Sequence, residues 1–488
     1  MEYISTRNSS ETVSPCTAIV RGLAADGGLY VPASIPELTQ DELFSLCDRD
    51  YPQRAAYIMQ KFLTDLSYDE LLNAATAAYS RFDGDPAPLV KVDDGIYMLE
   101  LWHGPTLAFK DVALTLLPHL LALAKQKLGI ERTTHILVAT SGDTGKAALE
   151  GFKDVPGTKV TVYYPSEGVS QMQKLQMVTQ QGKNLEVYGV KGNFDDCQTA
   201  VKSIFADQEL RQTLLNRSVA LSSANSINWG RLLPQIVYYV SAYVDLLGEN
   251  QIKMGSPVNF CVPTGNFGNI LAGWYAWRMG VPMGKLICAS NSNNVLTDFF
   301  ARGEYNTNRD FYKTMSPSMD ILVSSNLERL LFETGGRNGA VISKYMKQLA
   351  DTGSYRITAD EHKTLVEEFY AGYATEDQTI EAIEDFFEEY NYPLDPHTAV
   401  AVHVGGVYRS RTDDFAPQVV LSTANPYKFP QDVLFALTGD DVRDSFRACK
   451  KLLAETAMEV PPGIQALKIL PKLHSKVILP SEIKETVL

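Results

Sequence analysis

Nine consecutive residues, His103-Gly104-Pro105-Thr106-Leu107-Ala108-Phe109-Lys110-Asp111, set a lysine behind a Gly-Pro turn and ahead of a long apolar run over residues 112–124. Burial beside that much apolar surface disfavours the ammonium form, lowers the pKa and leaves an amine able to attack an aldehyde. Such an environment suits a lysine that forms a Schiff base with pyridoxal phosphate. The alternative is a lysine that caps the turn and lays its stem along the following helix.

Three further loops bear on that choice. Pro263-Thr264-Gly265-Asn266-Phe267-Gly268-Asn269 follows an apolar run and opens a helical pattern. Its two glycines permit a tight fold and a close approach, and the amides and dipole of a helix start favour a dianion such as a cofactor phosphate. A glycine turn made for packing is the alternative, and the absence of GxGxxG spacing speaks against a dinucleotide. Thr140-Ser141-Gly142-Asp143-Thr144-Gly145-Lys146 is a second loop of this kind. It is not a P-loop, because Thr140 stands where the first glycine is required and Ala147 where a metal-binding hydroxyl is required. Its hydroxyls and amides suit a carboxylate or phosphate of a substrate, or simple N-capping. Asn225-Ser226-Ile227-Asn228-Trp229-Gly230-Arg231 opens a long helical pattern, with Asn228 and Arg231 on one face. The helix dipole opposes an arginine there unless an anion lies close, so Arg231 with Asn225 and Ser226 suits a phosphate site or a salt bridge. Thr423 follows an apolar strand pattern, where its hydroxyl is placed either to meet a pyridine nitrogen or to cap a turn.

These loops require a scaffold. From residue 134 onward strand and helix patterns alternate: strands at 135–139, 159–164, 185–190, 219–221, 257–262 and 285–289, with helices after residue 144 and at 169–180, 194–205 and 227–247. Alternation of this kind predicts an α/β fold with mostly parallel sheets covered by helices, and ligands beyond the carboxyl ends of the strands. Residues 1–90 read as an amino-terminal module and 91–300 as the α/β catalytic region. Residues 301–395 read as a mostly helical insertion, with a solvated acidic helix face at 376–389. The sheet pattern returns at 399–404 and 418–421, within 396–440. Residues 441–488 form a carboxyl-terminal tail without legible chemistry.

The composition bounds the partners. The 488 residues are 45% hydrophobic and 21% charged, which is ordinary globular composition. A net charge of −14 argues against a nucleic-acid partner, so any anionic ligand needs a local site of amides and a few cations. Six cysteines without a CxxC pair favour reduced, buried thiols over disulfides or a metal site. The amino terminus has no apolar signal core, and the run 112–124 is broken by Pro118 and His119, too short to span a bilayer. A cytoplasmic protein with no membrane partner is expected.

Taken together, these stretches resemble threonine synthases, pyridoxal-phosphate enzymes of the tryptophan-synthase β-subunit-like fold (fold type II). The resemblance is carried by residues 3–7, 22–24 and 26–32, the Lys110 stretch, 140–145, 225–231 and 265–269. It continues through Met315-Ser316-Pro317-Ser318-Met319-Asp320-Ile321, Leu394-Asp395-Pro396-His397-Thr398-Ala399 and Ser422-Thr423-Ala424-Asn425-Pro426. Asn425 and Lys146 depart from the residues usual in the family. The resemblance implies that Lys110 is the Schiff-base lysine and proton shuttle. Gly265, Asn266, Phe267, Gly268 and Asn269 would then hold the cofactor phosphate, and Thr423 the pyridine nitrogen. Asp143 would stand near the ring hydroxyl, with its role left open. Ser141, Thr144, Asn225, Ser226 and Arg231 would hold the carboxylate and phosphate of O-phosphohomoserine. The implied reaction is γ-elimination of phosphate followed by addition of water at Cβ, giving threonine. An O-phosphohomoserine phospholyase, releasing 2-oxobutyrate, ammonia and phosphate, would carry much the same motifs. A monomer or homodimer is expected.

Overall fold

The computed structural model describes residues 1–140, 142–167 and 169–487, with residues 194, 195 and 206 described by backbone alone. Two sheets organise the chain. One has six strands in the spatial order Phe369–Tyr373, Met283–Ser290, Val258–Pro263, Gln418–Ser422, Ile96–Glu100, Leu89–Asp93, all parallel except the last pair. The other has five parallel strands in the order Val477–Ile478, Leu185–Val190, Thr158–Pro165, Thr133–Ala139, Val219–Ser222. Their central strands are buried on both faces, which is why they read as unbroken apolar runs.

The first residues form a three-stranded antiparallel sheet, Thr12–Val13, Tyr3–Ser5 and Tyr30–Pro32. The helices Gln40–Ser45, Tyr51–Phe62 and Tyr68–Tyr79 follow, each started by a capping box, at Thr39/Glu42, Asp50/Gln53 and Ser67/Glu70. This module shares its core with the rest of the chain. Tyr3 and Phe62 pack on Trp229, at 5.6 and 5.7 Å between ring centroids, where the long buried helix Trp229–Gly248 begins.

Two expectations need correction. The run 112–124 is two helices, Lys110–Leu114 and Leu117–Lys127, because Pro118 belongs to the first turn of a new helix. Residues 399–404 are not a strand but lie inside the helix Pro396–Thr412. Asp395 caps that helix and Pro396 opens it, while burial of Ala399, Val400, Ala401 and Val404 fills in the polar positions that would mark a helix. The stretch 301–395 carries the helices Leu327–Thr334, Gly339–Thr352, Ala359–Glu368 and Glu376–Tyr390 together with short strands. It supplies the edge strand Phe369–Tyr373 of the six-stranded sheet and a small hairpin of Glu304–Asn306 with Ser354–Arg356. The tail also takes part: Val477–Ile478 pairs at the edge of the five-stranded sheet.

Candidate active site

Carboxyl ends of strands from both sheets open on one cavity of about 1060 Å³. From the six-stranded sheet come the turn leading to Lys110, the loop after Val258–Pro263 and Thr423 after Gln418–Ser422. The five-stranded sheet contributes the loop after Thr133–Ala139 and residues 223–227 after Val219–Ser222. Lys110, Asp143, Thr144, Asn225, Ser226, Arg231, residues 265–269 and Thr423 all line this space, so the sequence-predicted residues converge. Ser141 lies outside the described residues.

Lys110 is the first residue of its helix and only 8% exposed. The turn before it is held by Asp111, which accepts from the Thr106 amide (2.8 Å) and hydroxyl (2.6 Å), and Leu107 takes a left-handed conformation at φ 64°. The Phe109 amide donates to the Thr423 carbonyl (2.8 Å) and the Asn425 amide to the Leu107 carbonyl (3.0 Å), which ties the lysine turn to the Thr423 loop. Lys110 Nζ donates to Ser318 Oγ (3.1 Å) and stands 3.7 Å from Asp143 Oδ2. Burial pushes its pKa down to about 8; Asp143 opposes that fall, while Arg231 and Lys428 reinforce it. The environment inferred from sequence is therefore present.

Asp143 opens the helix Asp143–Gly151. Burial alone would raise its pKa, but Lys428, 3.1 Å away, and Lys110 hold it well below the usual carboxylate range. It also accepts from Ser318 Oγ (3.1 Å) and Gln173 Nε2 (3.2 Å). N-capping in this loop falls to Thr140, whose hydroxyl accepts from the amides of Gly142 (3.0 Å) and Gly145 (2.9 Å).

In the loop before the helix Gly268–Arg278, the Gly265 carbonyl accepts from Ser324 Oγ (2.7 Å), and the Asn266 carbonyl from the Asn326 amide (3.1 Å) and side chain (3.0 Å). A trans peptide points its N–H away from its C=O, so fixing these carbonyls turns the next amides the other way. Among the described residues, no protein group accepts from the backbone N–H of residues 265–269. Phe267 adopts a left-handed conformation at φ 62° and packs its ring against Phe300 and Phe369. Gly265 has no room for a side chain: a Cβ would lie 2.6 Å from the Ser318 carbonyl oxygen.

Arg231 is 5% exposed and donates to the Ala224 carbonyl (2.8 Å), while its Nε is buried without a partner. Among the described residues no carboxylate pairs with it, which removes the salt-bridge alternative. Burial lowers its pKa to about 10. Asn225 Oδ1 and Asn269 Nδ2 are likewise buried and unpartnered. Asn228 faces elsewhere, capping its own helix through the Gly230 amide (2.9 Å) and reaching the Ile19 carbonyl (3.1 Å).

Four side chains at or behind the site carry no role in the sequence reading. Ser318 bridges Lys110 and Asp143, and its amide donates to His397 Nε2 (3.1 Å), whose Nδ1 meets Asp395 (2.8 Å). Lys428 is fully buried. Arg329, also fully buried, donates to the carbonyls of Ser226 (3.4 Å) and Ile227 (2.6 Å) and so braces the Arg231 loop. Ser318 and His397 lie in quoted motifs and were findable there; Lys428 and Arg329 had no local signal.

The residues present fit pyridoxal phosphate: a buried amine of lowered pKa, five amides awaiting an acceptor, and orphaned polar atoms around one cavity. Fold and site thus define a pyridoxal-phosphate-dependent enzyme, and residues 83–423 match the family described as pyridoxal-phosphate dependent enzyme. Residues 2–79 match the threonine synthase N terminus, and 398–471 the threonine synthase C-terminal family. A threonine synthase from Pseudomonas aeruginosa is 39% identical over 442 residues, covering 89% of this chain and 90% of that protein. The PLP-bound threonine synthase of Brucella melitensis superposes with a TM-score of 0.88 at 37% identity, covering 100% of this chain and 98% of that one. Human threonine synthase-like 1 is 40% identical over 462 residues, covering 92% of this chain; the alignment spans only 61% of that longer protein. The chain belongs to the threonine synthase family.

Proposed function

We propose that this chain converts O-phospho-L-homoserine and water to L-threonine and inorganic phosphate with pyridoxal phosphate as cofactor. The observation that carries this reading is Arg231, a buried guanidinium without a carboxylate, lining the same cavity as Lys110 and the 265–269 amides. Two anion sites in a protein of net charge −14 match a phosphorylated cofactor and a phosphorylated substrate.

When bound, pyridoxal phosphate supplies an aldehyde that condenses with amines and a ring that takes up the electrons left by proton removal. The amides of Gly265, Asn266, Phe267, Gly268 and Asn269 would hold its phosphate, and Thr423 would offer its ring nitrogen a neutral partner. Lys110 anchors it and, with a pKa near 8, takes and returns protons at Nζ near neutral pH. Asp143 stays ionised and, through Ser318, fixes the direction in which Nζ points. Asn225, Ser226 and Arg231 hold the substrate phosphate, and Ser141 and Thr144 its carboxylate. The enzyme works in the cytoplasm as a monomer or homodimer, which sedimentation of the purified chain checks.

The test is to give the protein pyridoxal phosphate and O-phosphohomoserine and measure products. Threonine and phosphate in equal amounts are expected. Release of 2-oxobutyrate and ammonia in place of threonine would replace the synthase reading with the phospholyase.

A further inference from the structure

A second buried lysine stands behind the site. Lys428 is 0% exposed, and its Nζ donates to the Thr106 carbonyl (2.7 Å) and Gln176 Oε1 (3.1 Å) and forms an ion pair with Asp143 Oδ1 (3.1 Å). Two neutral acceptors and a carboxylate suit an ammonium, which donates protons and accepts none. Asp143 is therefore shared. Its Oδ1 faces Lys428 and Gln173, while its Oδ2 faces Ser318 and, farther off at 3.7 Å, Lys110.

We infer that Lys428 is a positioning residue for the Lys110 amine: by occupying Asp143, it prevents that carboxylate from acting as a full counter-ion to Lys110 and keeps the amine uncharged and nucleophilic. With Lys428 charged and Asp143 ionised, the set is neutral only when Lys110 is neutral; a proton on Lys110 adds an uncompensated buried charge. The other ionisable groups nearby do not reverse this balance. Arg231 acts on Lys110 in the same sense as Lys428, and His397 faces Asp143. Behind Lys428, Lys146 is paired with Glu150 (3.1 Å), and Asp111 is bonded to Thr106. A lysine paired with one aspartate alone would instead be held as an ammonium.

The inference rests on Lys110 being the amine that anchors the cofactor, and the experiment separates the two. Full-length protein is stripped of cofactor, and its uptake of pyridoxal phosphate is followed by visible absorbance against pH, with borohydride trapping to locate the attachment. Lys428→Met is expected to move the midpoint of the uptake rate upward by roughly one pH unit or more. Lys428→Arg, which keeps the charge, should leave it in place. Asp143→Asn should move it downward, and adding Lys428→Met to Asp143→Asn should raise it again; this pair serves if Lys428→Met alone does not fold. No trapping at Lys110 in the unsubstituted protein sinks the functional reading. Trapping at Lys110 with midpoints that ignore residue 428, or that move as far in Lys428→Arg as in Lys428→Met, overturns this inference alone.

Discussion

The two proposed anion sites are built on opposite principles. At 265–269 there is no cation: five residues that line the cavity have backbone amides without an acceptor among the described residues, and their loop is tied down through its carbonyls by Ser324 and Asn326. At 225–231 the attraction comes from a guanidinium, buried and incompletely bonded, on a loop braced by Arg329. Fixed dipoles exert a modest field and suit a phosphate that stays through many turnovers. A buried charge attracts a dianion more strongly but is costly while empty, since desolving an ion without a partner costs several kcal/mol. That suits a ligand that arrives and leaves in each cycle. Under the proposed function, the contrast separates a resident phosphate from a transient one.

Removing the amine both sites serve has the largest effect. Lys110→Ala should lose borohydride-trapped cofactor and about four orders of magnitude or more in turnover; turnover retained within tenfold would deny Lys110 its role. In the unsubstituted protein the neutral amine is the reactive form, so cofactor uptake should rise with pH and level off above about 8. A flat profile between pH 6 and 9 contradicts the lowered pKa.

Arg231→Leu tests the transient site. Loss of a buried charged hydrogen-bond partner is worth about 2–5 kcal/mol, so KM for the phosphorylated substrate should rise by roughly 30-fold or more with cofactor uptake unchanged. Thermal melting without substrate should not fall, because an unpaired buried charge has been removed. Equal losses of cofactor and substrate binding would erase the distinction between the sites. Gly265→Ala tests the resident site in the reverse sense: its Cβ meets the Ser318 carbonyl, and overpacking of about 1–3 kcal/mol should weaken cofactor binding about tenfold. KM at saturating cofactor should stay the same. Thr423→Val is the mildest change, removing one neutral hydrogen bond worth about 1 kcal/mol, seen as a several-fold rise in the cofactor dissociation constant. An effect as large as that of Arg231→Leu would show that the ring nitrogen is held more tightly than a neutral hydroxyl allows.

Sequence reading finds candidate sites most readily where chemistry is local. A phosphate held by amides needs consecutive residues at a helix start, so 263–269 and 225–231 announced themselves through glycine, asparagine and the strands before them. It failed where one partner lies far along the chain. Arg329 reaches the Ile227 carbonyl across 102 residues, and Lys428 reaches the Thr106 carbonyl across 322. Neither has a spacing that marks it, and a buried lysine looks the same in one dimension as a solvated one. The helix Pro396–Thr412 was mistaken in part for a strand for a related reason: burial strips away the polar face that periodicity depends on.

The order of residues by itself determined the α/β alternation, the strand-to-helix loops and the choice of Lys110 as the candidate reactive lysine, since turns, caps and apolar periods act over a few residues. Only the tertiary structure decided what that lysine's amine feels. Its lowered pKa comes from burial, reinforced by Arg231 and Lys428 and opposed by Asp143, three residues that the fold draws from distant segments into one dry space where charges act strongly on one another.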